Sequence, residues 1–122
     1  MKRIFAIMLF FLAPMIAAAD HIDLIEFKLN DGCHFDKYMA IVKDFNQWAA
    51  KYGYHAEMLV PIQSKNLVSI LWAGRSKDAA TFGKVWDAWR NGQADPNSAE
   101  AKLSNRLDAC VTDLSREGYD TY

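Results

Sequence analysis

No block of like charge runs through this sequence. Fourteen Lys and Arg stand against 15 Asp and Glu, scattered over 122 residues. A nucleic-acid partner needs a positive surface to neutralise phosphates, and nothing here supplies one, so no nucleic acid is expected as partner. Cysteine is scarce, with Cys33 and Cys110 the two present. They form no Cys-x-x-Cys, and two cysteines so far apart in sequence do not make a zinc pattern, so no metal site is expected. His-Glu-x-x-His, Gly-x-Ser-x-Gly, a phosphate-binding loop, a dinucleotide fingerprint and a calcium loop are all missing. Reactions that announce themselves by a local motif are thereby removed. No linker, internal repeat or low-complexity stretch divides the chain. Beyond its start, no apolar run is long enough to cross a membrane.

The start is different. Lys2 and Arg3 precede an uncharged stretch from Ile4 to Ala19, with Leu9, Phe10, Phe11 and Leu12 in its middle and Ala17, Ala18 and Ala19 before Asp20. This is the three-part layout of a secretory signal. The expected organisation is a cleaved signal at 1–19 and one α+β domain at 20–122, exported to a bacterial periplasm or secreted. The mature amino terminus is expected at Asp20 or within a residue or two. No cysteine sits just after the cleavage region, so no lipid anchor and no membrane association are expected afterwards. Loss of Lys2 and Arg3 leaves 12 positive and 15 negative groups, about −3. All four tryptophans stay. Export also permits a disulfide between Cys33 and Cys110, which would close most of the domain into one loop and contribute about 4–5 kcal/mol by loop entropy. Two separate buried thiols, or a redox or metal pair, are the rival readings.

Alternation predicts a strand over 22–29, ended by Asn30, Asp31 and Gly32. A stripe of Phe35, Tyr38, Met39, Val42, Phe45, Ala49 and Tyr52 predicts a helix over 34–52, closed by Gly53. Strands follow at 54–60 and 67–74, joined by the short connection at 63–66. The second is apolar on both parities apart from Ser69, as a central strand is. Ser76 can cap a helix over 77–91 that carries Phe82, Val85, Trp86 and Trp89 on one stripe. Asp95 and Pro96 suggest the cap and first turn of a third helix over 96–109. A last strand begins at Val111 and reaches about Arg116. The order matches a ferredoxin-like split βαβ arrangement with an extra helix before the last strand. Helices would cover one sheet face, and a homodimer would bury the other.

Asp31-Gly32-Cys33, YMAIVKDFNQWA at 38–49, YGY at 52–54, ILWAGR at 70–75, ATFGKVWDAW at 80–89 and the closing REGYDTY resemble a group of small exported bacterial proteins of unassigned function. The pattern also resembles the dimeric α+β barrel superfamily, in which two ferredoxin-like units pack sheet to sheet. That resemblance implies a homodimer and ligand pockets between helices and sheet. The superfamily includes haem-degrading and quinol-type monooxygenases, chlorite dismutase-like proteins and muconolactone isomerases. It therefore allows haem, although no cofactor is expected from the residues themselves, and fold alone selects no chemistry.

Five residues stand out as candidates. His55 is the best catalytic candidate, as a base, a haem ligand or an ordinary hydrogen-bonded residue, with Glu57 on the same strand face to orient it. His21 lies beside the cleavage point, and His34 beside Cys33 at a helix start. Trp72, Trp86 and Trp89 either line a pocket for a flat or apolar ligand or fill the core. Arg75 ends the apolar strand, where it can grip a ligand carboxylate or pair with Asp78 or Asp87. Three functions fit: an exported dimeric binding protein with an aromatic-lined pocket, a cofactor-free monooxygenase-like or haem-handling enzyme, and a structural or interaction protein with no pocket.

Overall fold

The computed structural model describes residues 20–122; the predicted signal at 1–19 lies outside them. The chain runs β1 (Asp20–Leu29), α1 (Phe35–Ala49), β2 (Tyr54–Leu59), β3 (Ile70–Ser76), α2 (Ala79–Gly92), α3 (Ala99–Cys110) and β4 (Val111–Thr121). The four strands form one antiparallel sheet in the order β2-β3-β1-β4. This is the ferredoxin-like arrangement with α3 as the added helix.

Two periodicities build it. On β1, Asp23 and Phe27 are buried toward the helices, as are Trp72 on β3 and Tyr54 and Ala56 on β2. On α1 the buried line is Tyr38, Ile41, Val42, Phe45, Trp48 and Ala49. The predicted stripe was turned slightly: Phe35 and Met39 are 38% and 36% exposed, while Ile41 and Trp48 take the inner positions. The face is centred between the 38–42–45–49 and 41–45–48 lines because α1 packs on both the sheet and α3. A 3-10 turn, Ala50–Tyr52, follows, and Gly53 at φ 74° ends it.

Several boundaries differ from the sequence expectations. The β2–β3 connection is longer than predicted, and β3 begins at Ile70. Asn66 holds the chain off the ladder, its Oδ1 accepting from the backbone N–H of Val68 and Ser69 at 3.0 and 3.3 Å. Asp78, not Ser76, caps α2, accepting from Thr81 N–H at 2.7 Å. Ser98, not Asp95, caps α3, accepting from Ala101 N–H at 3.0 Å. Asp95 instead folds a turn by accepting from Asn97 N–H. β4 reaches Thr121 and pairs along all of β1. Its alternation was illegible because the register shifts between Glu26 and Phe27. That shift leaves Leu114 as an extra residue in β4.

Cys33 and Cys110 form a disulfide with Cα atoms 5.2 Å apart, closing a separation of 77 residues. It fastens the loop before α1 to the junction of α3 and β4. The same junction is tied by Asn30, whose N–H donates to Cys110 O at 2.9 Å and whose Oδ1 accepts from the Thr112 hydroxyl at 2.6 Å. The helix-free face of the sheet carries Leu24, Glu26, Leu71, Ala73 and Arg75 in its centre. Among the described residues no helix is long and apolar enough to cross a membrane.

Candidate functional site

Aromatic side chains from four elements converge between the sheet and the helices. Phe45 of α1 stands at the centre. It meets Trp72 of β3 edge to face at 4.8 Å, Trp89 of α2 at 5.2 Å and Tyr54 of β2 at 5.9 Å. Phe82 and Trp86 continue the wall along α2, one turn apart. These rings do not fill the interior. They line a cavity of about 530 Å³ that opens past α3 and the first residues of β4. Rings are rigid and wide, so their edge-to-face contacts leave gaps that branched aliphatic side chains would close.

Beneath the wall lies a buried polar chain. The Trp72 indole N–H donates to the Tyr54 hydroxyl at 2.7 Å, and that hydroxyl donates to Asp23 Oδ2 at 3.3 Å. Arg116 of β4 closes the chain, with Nε on Asp23 Oδ1 at 2.9 Å and Nη2 on Oδ2 at 2.6 Å. A carboxylate 3% exposed needs such partners, since burying an unpaired charge is costly. Asp23 faces Gly118 across the β1–β4 pair, and Arg116 reaches it from the neighbouring position opposite Ile25. Gly74 lies under the Tyr54 phenol, and any Cβ there would overlap that ring. The Arg116 guanidinium also stands over the Trp86 ring, 4.1 Å from its centroid.

Burial pushes the Tyr54 phenol well above its ordinary range, and the neighbouring Asp23 carboxylate adds to the shift. Burial does the same to Tyr38, helped by the charge of Asp113. Asp113, on the cavity rim, is raised first by desolvation and then by Asp108 and Asp23, against the opposing pull of Arg116. For Arg116 desolvation works against the charge, and Asp23 more than offsets it. A phenol raised in the fold keeps its proton where an unfolded one loses it. Its contribution to stability is full below the unfolded value near pH 10 and is lost as pH rises through the higher folded one. At about pH 11 the native protein is therefore expected to show phenolate absorbance short of the unfolded chain's by at least two of the five tyrosines. Full ionisation of the native protein at that pH would mean that these phenols are not enclosed.

The structure brings Trp72, Trp86 and Trp89 together on the cavity. It does not bring His55 and Arg75 there. Both lie on the helix-free face, exposed, in one cross-strand row with each other. Arg75 pairs with Glu57 at 3.4 Å rather than with Asp78 or Asp87. Glu57 thus serves the arginine, not the imidazole. Sequence reasoning missed Asp23, Tyr54, Phe45 and Arg116. One signal was available for Asp23: a carboxylate sharing its parity with Ile25 and Phe27 in an apolar strand. None of the three histidines lines the cavity. Among the described residues no cluster of three or more His, Cys, Asp or Glu could hold a metal ion.

No family model and no curated protein matches this sequence. Solved structures do. A conserved protein of unknown function from Bacteroides thetaiotaomicron, described as a possible oxidoreductase, superposes with a TM-score of 0.54 at 9% identity, over 85% of this chain and 99% of that one. SnoaB, a cofactor-independent oxygenase from Streptomyces nogalater, superposes with a TM-score of 0.51 at 13% identity, over 84% of this chain and 92% of that one. At such identities the likeness concerns the backbone alone. The chain has the ferredoxin-like α+β fold, and its likeness to these structures is one of fold.

Proposed function

We propose that this is an exported, homodimeric binding protein that holds a flat, largely apolar small molecule between its helices and its sheet. The cavity carries this reading. Its volume of about 530 Å³ falls in the range of small-molecule sites. Trp72, Trp86 and Trp89 present ring surface to it, with the Trp72–Tyr54–Asp23 chain beneath. A structural protein without a pocket would have a filled interior, and this interior is open. No arrangement of acid, base and nucleophile converges on it, so binding is favoured over catalysis.

The second sheet face and the β2 edge support the dimer. Leu59, Val60, Ile62, Leu67 and Val68 are all exposed along β2 and its connection to β3. A contiguous apolar strip of this kind marks a contact surface, and it continues onto Leu71 and Leu24 of the helix-free face. A second copy would bury both. Sedimentation is expected to give the mass of two chains; a single-chain mass would remove the dimer from the proposal.

The binding reading is tested with 2-naphthylmethanol, a flat neutral probe. Calorimetry should show saturable binding, and the indole N–H resonances of Trp72 and Trp89 should shift with it. Trp86→Leu should weaken binding about tenfold, the equivalent of roughly 1.4 kcal/mol. Absence of saturation up to the probe's solubility would overturn the reading.

A further inference from the structure

We propose that the ligand is an organic cation: a flat aromatic amine whose rings lie on Phe45, Trp72 and Trp89 and whose ammonium stands between Asp108 and Asp113 at the cavity rim. This inference rests on the binding role proposed above and specifies what is bound.

The argument is one of charge. Five charged side chains line the cavity: Asp23, Arg90, Asp108, Asp113 and Arg116. Both cations are already engaged. Arg116 places Nε and Nη2 on the two oxygens of Asp23 and stands over the Trp86 ring. Arg90 directs Nη2 to Asp87 at 2.6 Å, outside the cavity. The carboxylates are not matched in the same way. Asp23 is satisfied, but Asp108 and Asp113 take part in no ion pair among the described residues. Three carboxylates thus line the aromatic box against two guanidiniums, and Arg116, which also attracts Asp113, is hydrogen-bonded to Asp23.

Each ligand class meets this arrangement differently. A carboxylate or phenolate would face both free carboxylates. Its routes to a positive group would be to draw Arg116 away from Asp23, stranding a buried charge, or to compete with Asp87 for the exposed Arg90. A neutral flat molecule would gain the ring contacts and leave the rim unpaired. An ammonium gains the rim and the rings together, because indole and phenyl faces attract cations and a hydrogen bond between two charged groups is stronger than a neutral one. The upward shift of Asp113 agrees with this picture, since desolvation and the nearby Asp108 and Asp23 charges are what a bound cation would relieve.

Three probes of one shape decide the matter at neutral pH: 2-naphthylmethylamine, 2-naphthylmethanol and 2-naphthoate. The amine should bind about tenfold more tightly than the alcohol, in keeping with one charge-assisted hydrogen bond, and the carboxylate should bind most weakly. The amine's advantage should shrink as salt is raised, while the alcohol's affinity holds. In Asp108→Asn/Asp113→Asn the ratio of amine to alcohol affinity should fall to about one, the neutral amides offering no charged partner. If the alcohol binds and the amine is no better, or the carboxylate is best, the cation is excluded while the binding role stands. A salt-insensitive preference, or one retained in the double variant, would also overturn the assignment. If none of the three binds, the binding role itself fails.

Discussion

Replacing Cys33 and Cys110 together by alanine is expected to lower the free energy of unfolding by about 4 kcal/mol. The bond closes a separation of 77 residues, and the chain-entropy relation assigns such a loop roughly 4.5 kcal/mol at 25 °C. For a domain of this size that is a fall of roughly 20 °C in Tm. Alanine is the right replacement, because Cys110 is 2% exposed and a serine there would bury a hydroxyl as well. Part of the junction should survive, since Asn30 still bonds to Cys110 O and Thr112 independently of sulfur. The native fold is therefore expected to persist at low temperature with a reduced melting point. Addition of a reductant to the wild type should reproduce the shift, once the buried bond is reached. Equal melting curves for oxidised wild type and double variant would show that the clamp does not form in solution.

The clamp also bears on the cavity. β4 begins directly after Cys110, and Val111, Thr112 and Asp113 are its first cavity-lining residues. Fixing Cys110 to the loop before α1 fixes where that wall begins. A weakened clamp should therefore weaken 2-naphthylmethanol binding even below the melting transition, through a mobile rim rather than a lost contact.

How much of this was legible in sequence depends on the range of the signal. The α1 helix, the central β3 strand and the Gly53 stop rest on short-range patterns and are found, with the α1 stripe turned slightly and β3 beginning later than expected, at Ile70. Trp72, Trp86 and Trp89 could be grouped because indoles are few and large. Period two set His55 on the strand face opposite Tyr54, which is where it lies. It could not say which face the helices would cover, because that depends on connections across the whole sheet. The polar chain was out of reach for a stronger reason. Asp23 and Arg116 lie 93 residues apart, and nothing local in β4 marks Arg116 as a partner. The Leu114 bulge hides even the strand that carries it. Caps failed more narrowly: Ser76 and Asp78, or Asp95 and Ser98, are equally good cap residues, and the choice is made by where the chain, leaving the sheet before α2 and turning from α2 before α3, first enters the helix.

Arg116→Met should be the most damaging single change on the cavity floor. Methionine keeps most of the aliphatic stem and removes the guanidinium, together with its contact with Trp86. Asp23 then loses two hydrogen bonds and its counter-charge while remaining buried, with Tyr54 its one side-chain partner. Breaking a buried pair in this way costs about 3–5 kcal/mol. The lower end is expected here, because the Arg116 side chain is 40% exposed and water reaches the outer part of the pair. The reverse change should be milder. Asp23→Asn keeps an acceptor for Tyr54 and leaves a guanidinium that water can solvate, so about 1–2 kcal/mol is expected. Asp23→Asn introduced into Arg116→Met should then recover stability, since the stranded charge is gone. Denaturant unfolding of the four proteins gives the coupling directly. If Arg116→Met lost less than about 1 kcal/mol, the pair would be a solvated surface contact instead of a floor. The same series separates stability from recognition. Arg116 is fully occupied by Asp23, so the Asp23→Asn/Arg116→Met protein should still prefer 2-naphthylmethylamine to 2-naphthoate, through Asp108 and Asp113 alone.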